Sequence, residues 1–262
     1  LALIYSDFMD WYLYPAIIAV GIIAGFINTL AGSGSLLTLP LLMFLGLPAN
    51  IANGTNRVAI FMQNLVAVGS FKKQEIFKYS EGIWLAVPAT IGAFLGSMIA
   101  VNFNERILEL FIGGLLVFMF FVILLKPDRW IKEKAGSIDG RPRFWRLVIF
   151  FFIGVYGGFI QAGVGFFLLA GLIFGVGADL IKANALKVFI VLAYTSVALI
   201  VFFLNKQVDL KIGLILAVGN MTGAWIGSHT AVSWGPKFVR IVLLFAILIA
   251  SLKLLGVIDM IF

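Results

Sequence analysis

The 262-residue chain contains no cysteine, which excludes disulfides, thiolate metal sites and thiol nucleophiles. Charge is scarce as well. Only 12% of residues are charged, about half the share usual in a soluble domain. Acids are the scarcest: residues 15–71 and 147–178 hold no Asp or Glu, and Glu109 is the one carboxylate expected within a span. Cation carriers and carboxylate proton relays need buried acids, so the pathway reads as one for anions. A single histidine, His229, leaves little room for imidazole chemistry. Ten-residue alternation is missing too, which excludes a porin-like barrel. No basic segment precedes the first apolar run, so no cleavable signal peptide is expected. Nothing in the chain implies a metal or a cofactor.

What is present is apolar: 62% hydrophobic residues, with 28 glycines and 26 phenylalanines. This is the composition of closely packed helices in a lipid bilayer, the first partner the sequence implies. The formal charge of +7 does not point to nucleic acid, because the basic residues cluster between apolar spans. The stretch 25–57, GFINTLAGSGSLLTLPLLMFLGLPANIANGTNR, organises the rest. It is apolar but broken by Gly32-Ser33-Gly34-Ser35, and it ends in the polar cluster Asn53-Gly54-Thr55-Asn56-Arg57. Each glycine costs about 1 kcal/mol of helix propensity relative to alanine. Two half-helices meeting at a non-helical elbow are therefore expected, with 32–35 outside the helix. Lipid tolerates such backbone only where protein or a wet cavity surrounds it.

The pattern returns 131 residues later. Ala31-Gly32-x-Gly34 matches Ala162-Gly163-x-Gly165, and Ala52-Asn53 matches Ala183-Asn184. Leu85-Ala86-Val87 matches Leu216-Ala217-Val218, and Gly92-Ala93-x-x-Gly96-Ser97 matches Gly223-Ala224-x-x-Gly227-Ser228. Upstream of the elbow, Gly21-x-x-x-Gly25-Phe26-Ile27 matches Gly154-x-x-x-Gly158-Phe159-Ile160 after two residues are dropped. Four blocks in one register argue for an internal repeat rather than chance. The second elbow is expected at 163–165.

Residues 1–125 form the first repeat, 126–146 a basic linker and 147–262 the second repeat. The linker and the basic loop at 72–80 both belong on the cytoplasmic side. Spans at 52–71, 83–101 and 107–125 follow a hairpin at 15–46, so each half is a hairpin plus three crossings, an odd number. The second half must then insert upside down. The expected fold is an all-α integral membrane protein of two inverted-topology repeats, each a glycine-broken helical hairpin plus three transmembrane helices. The expected location is the inner (plasma) membrane. Inverted repeats with broken helices meeting near the midplane recur among secondary transporters.

The elbow followed by Pro40, the cluster Ala52-Asn53-Gly54-Thr55-Asn56, and the recurrence of that set across a basic linker resemble the TauE/SafE sulfite exporter family over about residues 15–256. The resemblance implies a secondary carrier, an exporter of small sulfur-containing anions such as sulfite and organosulfonates. It also implies functional positions at Gly32, Ser33, Gly34, Ser35 and Thr55. The family's run of elbow glycines is interrupted here by Ser33 and Ser35 in the first half and by Val164 and Phe166 in the second.

Half-helices that start at an elbow aim their N–H groups inward, which makes an anion site without any cation. Close helix packing is the alternative reason for small residues there. Arg57 lies about four residues inside a span without an acidic neighbour, and Lys187 sits at nearly the same place in the repeat. Both are candidate ligands of a small anion, and snorkelling to the headgroups is the alternative. Replacing Arg57 is expected to weaken anion handling more than stability. Asn53, Thr55, Asn56, Gln63, Gln161, Gly163, Gly165 and Asn184 complete the candidate binding set. Asn28, Asn64, Thr195, Asn220 and Thr222 line the cavity or bond between helices. Two other readings share these residues. One is an intramembrane serine hydrolase using Ser33 or Ser35 with His229, which the doubled elbow and undoubled serines disfavour. The other is an anion channel using the same elbows.

Overall fold

The computed structural model describes residues 12–32, 34–76, 79–125 and 143–230. Among these residues every regular element is a helix: α1 Leu13–Ala31, α2 Ser35–Phe44, α3 Ala49–Lys73, α4 Tyr79–Val101 and α5 Glu105–Leu125 in the first half. In the second half α6 is Phe144–Phe159, α7 is Val164–Ala170 continued by a π-helical turn at Gly171–Val176, α8 is Leu180–Leu204 and α9 is Leu210–Thr230. Four of them (α1, α4, α8 and α9) are long and apolar enough to cross a membrane. The chain is a multi-pass membrane protein. Ser33, the linker up to residue 142 and residues 231–262, where the last span of the second half is expected, lie outside the described residues.

The halves are not separate domains. The main contacts of α1 are with α9, and those of α4 are with α6 and α8, while α3 packs on both α8 and α9. Exchanging the halves turns α1 into α6, α3 into α8 and α4 into α9, and this set of packings maps onto itself. The two large apolar clusters likewise draw side chains from both halves: Leu39, Leu116, Ala162 and Leu216 in one, Ile60, Ala89, Leu168 and Ala224 in the other. The direction of the helices is fixed by polar contacts at their ends. Thr55, early in α3, bonds Asp209 just past α8, while Lys182, early in α8, pairs with Glu81 just past α3. Repeat mates α3 and α8 therefore run in opposite directions.

The repeated glycines sit at the helix crossings. A Cβ on Gly25 would overlap the Asn220 carbonyl between α1 and α9, and one on Gly154 would overlap that of Ala89 between α6 and α4. Backbones approach this closely only where side chains are absent, the usual way of joining helices in lipid. Asn220 and Ala89 are one repeat spacing apart, so Gly154 takes the place of Gly25 and not of Gly21. The motif match upstream of the elbow is thus shifted by one helical turn in space. The cause lies in the link. Seven positions lead from Gly25 to Gly32 but nine from Gly154 to Gly163, so the second half has two more residues between the matching crossing and its elbow, and it leaves residues 160–163 non-helical.

Candidate functional site

The elbows touch. α1 ends when Gly32 turns left-handed at φ 72°, its N–H bonding Asn28 O at 2.8 Å, and α2 starts at Ser35. Residue 35 is thus helical, one position earlier than the sequence suggested. In the second half the break falls at 160–163, with Gln161 at φ 67° and Gly163 at φ 73°. Val164 and Gly165 are already the first turn of α7, so the expected break at 163–165 starts and ends earlier. Helix can resume at Val164 because Gly163 takes the left-handed turn, which β-branched valine disfavours. Gly165 then serves a different purpose: it lies against Gly32 so closely that a Cβ on either would overlap the other's backbone. Gly34 lies as tightly against the Ala24 carbonyl, folding α2 back along α1.

Two cations hold these broken helices, each from the opposite half. Arg57 on α3 is 0% exposed, which removes the snorkelling alternative. Its Nη1 donates to Gly157 O at 3.1 Å and to Gln161 Oε1 at 3.3 Å. Its Nη2 donates to Gly158 O at 2.6 Å and Asn53 Oδ1 at 3.4 Å, and its guanidinium carbon stands 4.6 Å from the Phe202 ring centroid. Asn53 Nδ2 adds a bond to Phe159 O at 2.7 Å. These are the last carbonyls of α6, the negative end of its dipole. Lys187 on α8 is 1% exposed and does the same for α1. Its Nζ donates to Asn28 O at 2.9 Å, Thr29 O at 3.0 Å and Asn184 Oδ1 at 2.7 Å, which uses all three of its N–H groups. Among the described residues no carboxylate pairs with either cation.

The other candidates divide between bracing and unspent polarity. Thr55 Oγ1 accepts from Asp209 N at 2.9 Å and so holds the start of α9, a structural use. Asn56 Oδ1 accepts from Thr38 Oγ1 at 2.6 Å, while its Nδ2 has no partner. Gln63 Oε1 accepts from Asn220 Nδ2 at 3.2 Å, and its Nε2 has none. Gln161 bridges Arg57 to Thr195 Oγ1, 3.1 Å from its Nε2. Arg57 Nε and Tyr194 Oη are also buried without partners. Ser35 is buried in the first turn of α2. Asn64 and Thr222 bond their own helices, at Ile60 O and Val218 O. His229, near the end of α9, places Nδ1 2.8 Å from Trp225 O of its own helix.

Two residues escaped the sequence reading. Tyr194 is an aromatic in an apolar run, and the one signal for it is its repeat spacing of 131 from Gln63. Asp209 precedes α9 and is 1% exposed. Its Oδ1 accepts from Ile212 N at 3.0 Å, the usual work of an Asp before a helix, and the pattern Asp209-Leu210-Lys211-Ile212 could have revealed it.

Residues 17–254 match the family described as sulfite exporter TauE/SafE. The chain belongs to that family. Among its relatives is the probable membrane transporter protein ORF9 of a Sinorhizobium species, 26% identical over 248 residues, which cover 95% of this chain and 94% of the relative. The probable membrane transporter protein YfcA of Escherichia coli strain K12 is 27% identical over 237 residues, 90% of this chain and 87% of its own. YjnA of Bacillus subtilis strain 168, also called a probable membrane transporter protein, is 26% identical over 255 residues, 92% of this chain and 99% of its own. No solved structure matches the chain significantly. The protein is accordingly a membrane transporter and not an enzyme. His229 Nδ1 lies 2.8 Å from Trp225 O and 3.4 Å from Ser228 Oγ, both of its own helix, and its described contacts do not include Ser35.

Proposed function

We propose that the protein is a secondary transporter, an exporter, of small sulfur-containing anions such as sulfite or organosulfonates. The observation that carries this reading is the pair of buried cations unmatched by acid. Helix C-termini offset roughly half a charge each, which leaves the region between the elbows electropositive. Most of the unspent groups beside it are hydrogen donors, Arg57 Nε, Asn56 Nδ2, Gln63 Nε2 and the Tyr194 hydroxyl, against the unpaired Asn220 Oδ1 next to Gln63. A cationic substrate would find neither charge nor enough acceptors there, whereas an oxyanion supplies what these donors lack. The backbone N–H groups at the starts of α2 and α7 extend the same polarity.

The two halves act as inverted repeats that alternate access around this site near the midplane. The opposite directions of α3 and α8, and the packing pattern that survives exchange of the halves, support this. The linker at 126–146 then faces the cytoplasm, as its basic residues favour. Arg57 and Lys187 tie each elbow to the other half, so movement of one half is felt at both.

Thermal shift and direct binding on the purified protein test the substrate class, with sulfite, sulfate, thiosulfate and two-carbon sulfonates against potassium and ammonium. Stabilisation by at least one oxyanion is expected. A response to cations alone would overturn the reading. Counterflow in proteoliposomes separates a carrier from a channel: trans-stimulated, saturable uptake is expected, and flux without trans-stimulation would replace the carrier by a channel.

A further inference from the structure

Gln63 and Tyr194 stand one repeat spacing apart, at the same place in matching helices. Each is residue 15 of a 25-residue helix, in α3 and α8 respectively. Both are 0% exposed, and each buries a polar atom without a partner, Nε2 in Gln63 and Oη in Tyr194. Folded proteins rarely bury such groups unpaired, and leucine or phenylalanine would fill either place more cheaply. Two matched exceptions on the same turn of two packed helices need a common reason.

Their surroundings fix where the groups can act. The Gln63 carbonyl is held by Asn220 Nδ2, so its amide N–H groups must point elsewhere. The Tyr194 ring lies against Gly157, where a Cβ would come 3.1 Å from Cζ and 3.2 Å from Oη. The carbonyl of this glycine receives Arg57 Nη1. Arg57 Nε is likewise unspent. One charged and one neutral donor therefore share a single neighbour; Arg57 Nε has no acceptor, and the Tyr194 hydroxyl has Gln161 and Thr195 near it but neither at bonding geometry. Several directional donors suit an anion with two or more oxygens rather than a halide. One guanidinium, already facing the negative end of α6, suits a single negative charge rather than two.

We infer that Tyr194 is a specificity-determining ligand residue. Its phenol donates to a small monovalent oxyanion held beside Arg57, and Gln63 offers the matching donor from the first half. This rests on the anion-carrier reading above.

Tyr194→Phe in the full-length protein tests it, because the change removes only the hydroxyl. Affinities for methanesulfonate, sulfate and chloride are measured by calorimetry, and melting temperature is measured without ligand. Wild type should prefer methanesulfonate to both others. Tyr194→Phe should bind methanesulfonate about three- to tenfold more weakly, the loss of one hydrogen bond. It should melt at the same temperature or higher, since an unpaired buried group has gone. An unchanged methanesulfonate affinity overturns the inference and leaves the carrier reading standing. So does a lower melting temperature without a change in affinity, which would make the hydroxyl structural. A wild-type preference for sulfate or chloride overturns the monovalent-oxyanion assignment. If wild type binds none of the three or any other oxyanion, the carrier reading fails first and this inference with it.

Discussion

The two elbows solve one problem with different residues. In the first, α1 runs to Ala31, Gly32 turns left-handed and α2 starts at Ser35. Lys187 closes the end of α1 with bonds to Asn28 O and Thr29 O, and its third N–H goes to Asn184 Oδ1 of its own helix. In the second, α6 stops at Phe159 and residues 160–163 bridge to α7. There Arg57 closes the helix with a flat fork that spans Gly157 O, Gly158 O and two side-chain oxygens. The longer link lets Gln161 turn in and join Arg57 to Thr195, which nothing described in the first elbow reproduces. Both cations take two adjacent carbonyls and one asparagine oxygen, and the larger fork of arginine reaches Gln161 besides. The lesson is that the repeat conserves a role, closure of a broken helix by the other half, and not a side chain.

The largest effect should come from removing either cation. Arg57→Ala leaves two carbonyls and two amide oxygens without their donor, at about 1–3 kcal/mol for each group not re-satisfied. A loss of about 3 kcal/mol or more in stability is expected, read by thermal unfolding in detergent, with Lys187→Ala comparable. This reverses the ranking expected from sequence, where Arg57 mattered to the anion before the fold. The exchanges sharpen the comparison: Arg57→Lys should keep part of the cap, while Lys187→Arg should be harder to fit, because the Lys187 stem lies close against Gly32. If Arg57→Ala melts like wild type, the cation serves only the substrate.

Next comes the contact between the elbows. Gly165→Ala puts a methyl into the backbone of Gly32, and two main chains cannot yield as a side chain does. Overpacking of this kind costs about 1–3 kcal/mol. Gly69→Ala is the control, since nothing lies within 4 Å of its added methyl and it sits inside α3. That change should stabilise by up to about 1 kcal/mol through helix propensity. Equal melting of the two variants would mean that the elbows are not in firm contact.

Much of this was legible in the sequence because glycine leaves a readable trace. Gly32 and Gly163 marked both breaks, and the recurrence of Arg57 and Lys187 singled out both cations, though as anion ligands and not as caps. What stayed hidden was partnership. That Arg57 serves α6 and Lys187 serves α1 depends on residues 100 and 159 positions apart in the chain, and no local pattern encodes it. The one-turn shift of Gly154 onto the place of Gly25 was hidden because the motif match pairs Gly154 with Gly21, and only the helix crossings show which glycine meets which carbonyl. Tyr194 went unnoticed because an aromatic in an apolar span is ordinary until its hydroxyl is seen to lack a partner.

A smaller effect is expected at Thr55. Thr55→Val keeps the shape but removes the acceptor of Asp209 N at the start of α9. The cost should be about 1–2 kcal/mol, as for a lost cap or a buried N–H left unpaired. Thr55→Ser should restore most of it. Because Lys187 and Arg57 are untouched, anion affinity should hardly move. A Thr55→Val protein with normal stability but weakened anion binding would transfer Thr55 from the fold to the site.

The smallest effect should be at Ser35, where the first elbow carries a hydroxyl and the second a phenyl ring. One repeat spacing on stands Phe166, a half-buried side chain packed on the apolar core, so the second elbow works without a polar side chain at this place. If the role belongs to the backbone N–H groups of the half-helix, Ser35 adds one neutral donor to an anion that those groups and Arg57 already attract. Losing it should cost about 0.5–1.5 kcal/mol, or threefold to tenfold in affinity. Alanine is also a better helix former than serine in the first turn of α2, so folding should hold. Ser35→Ala should therefore melt like wild type and transport with a modestly raised KM and little change in maximal rate. Abolished transport in a well-folded Ser35→Ala protein would mean that the first elbow depends on a side chain while the second does not, and the equivalence of the two would break at that point.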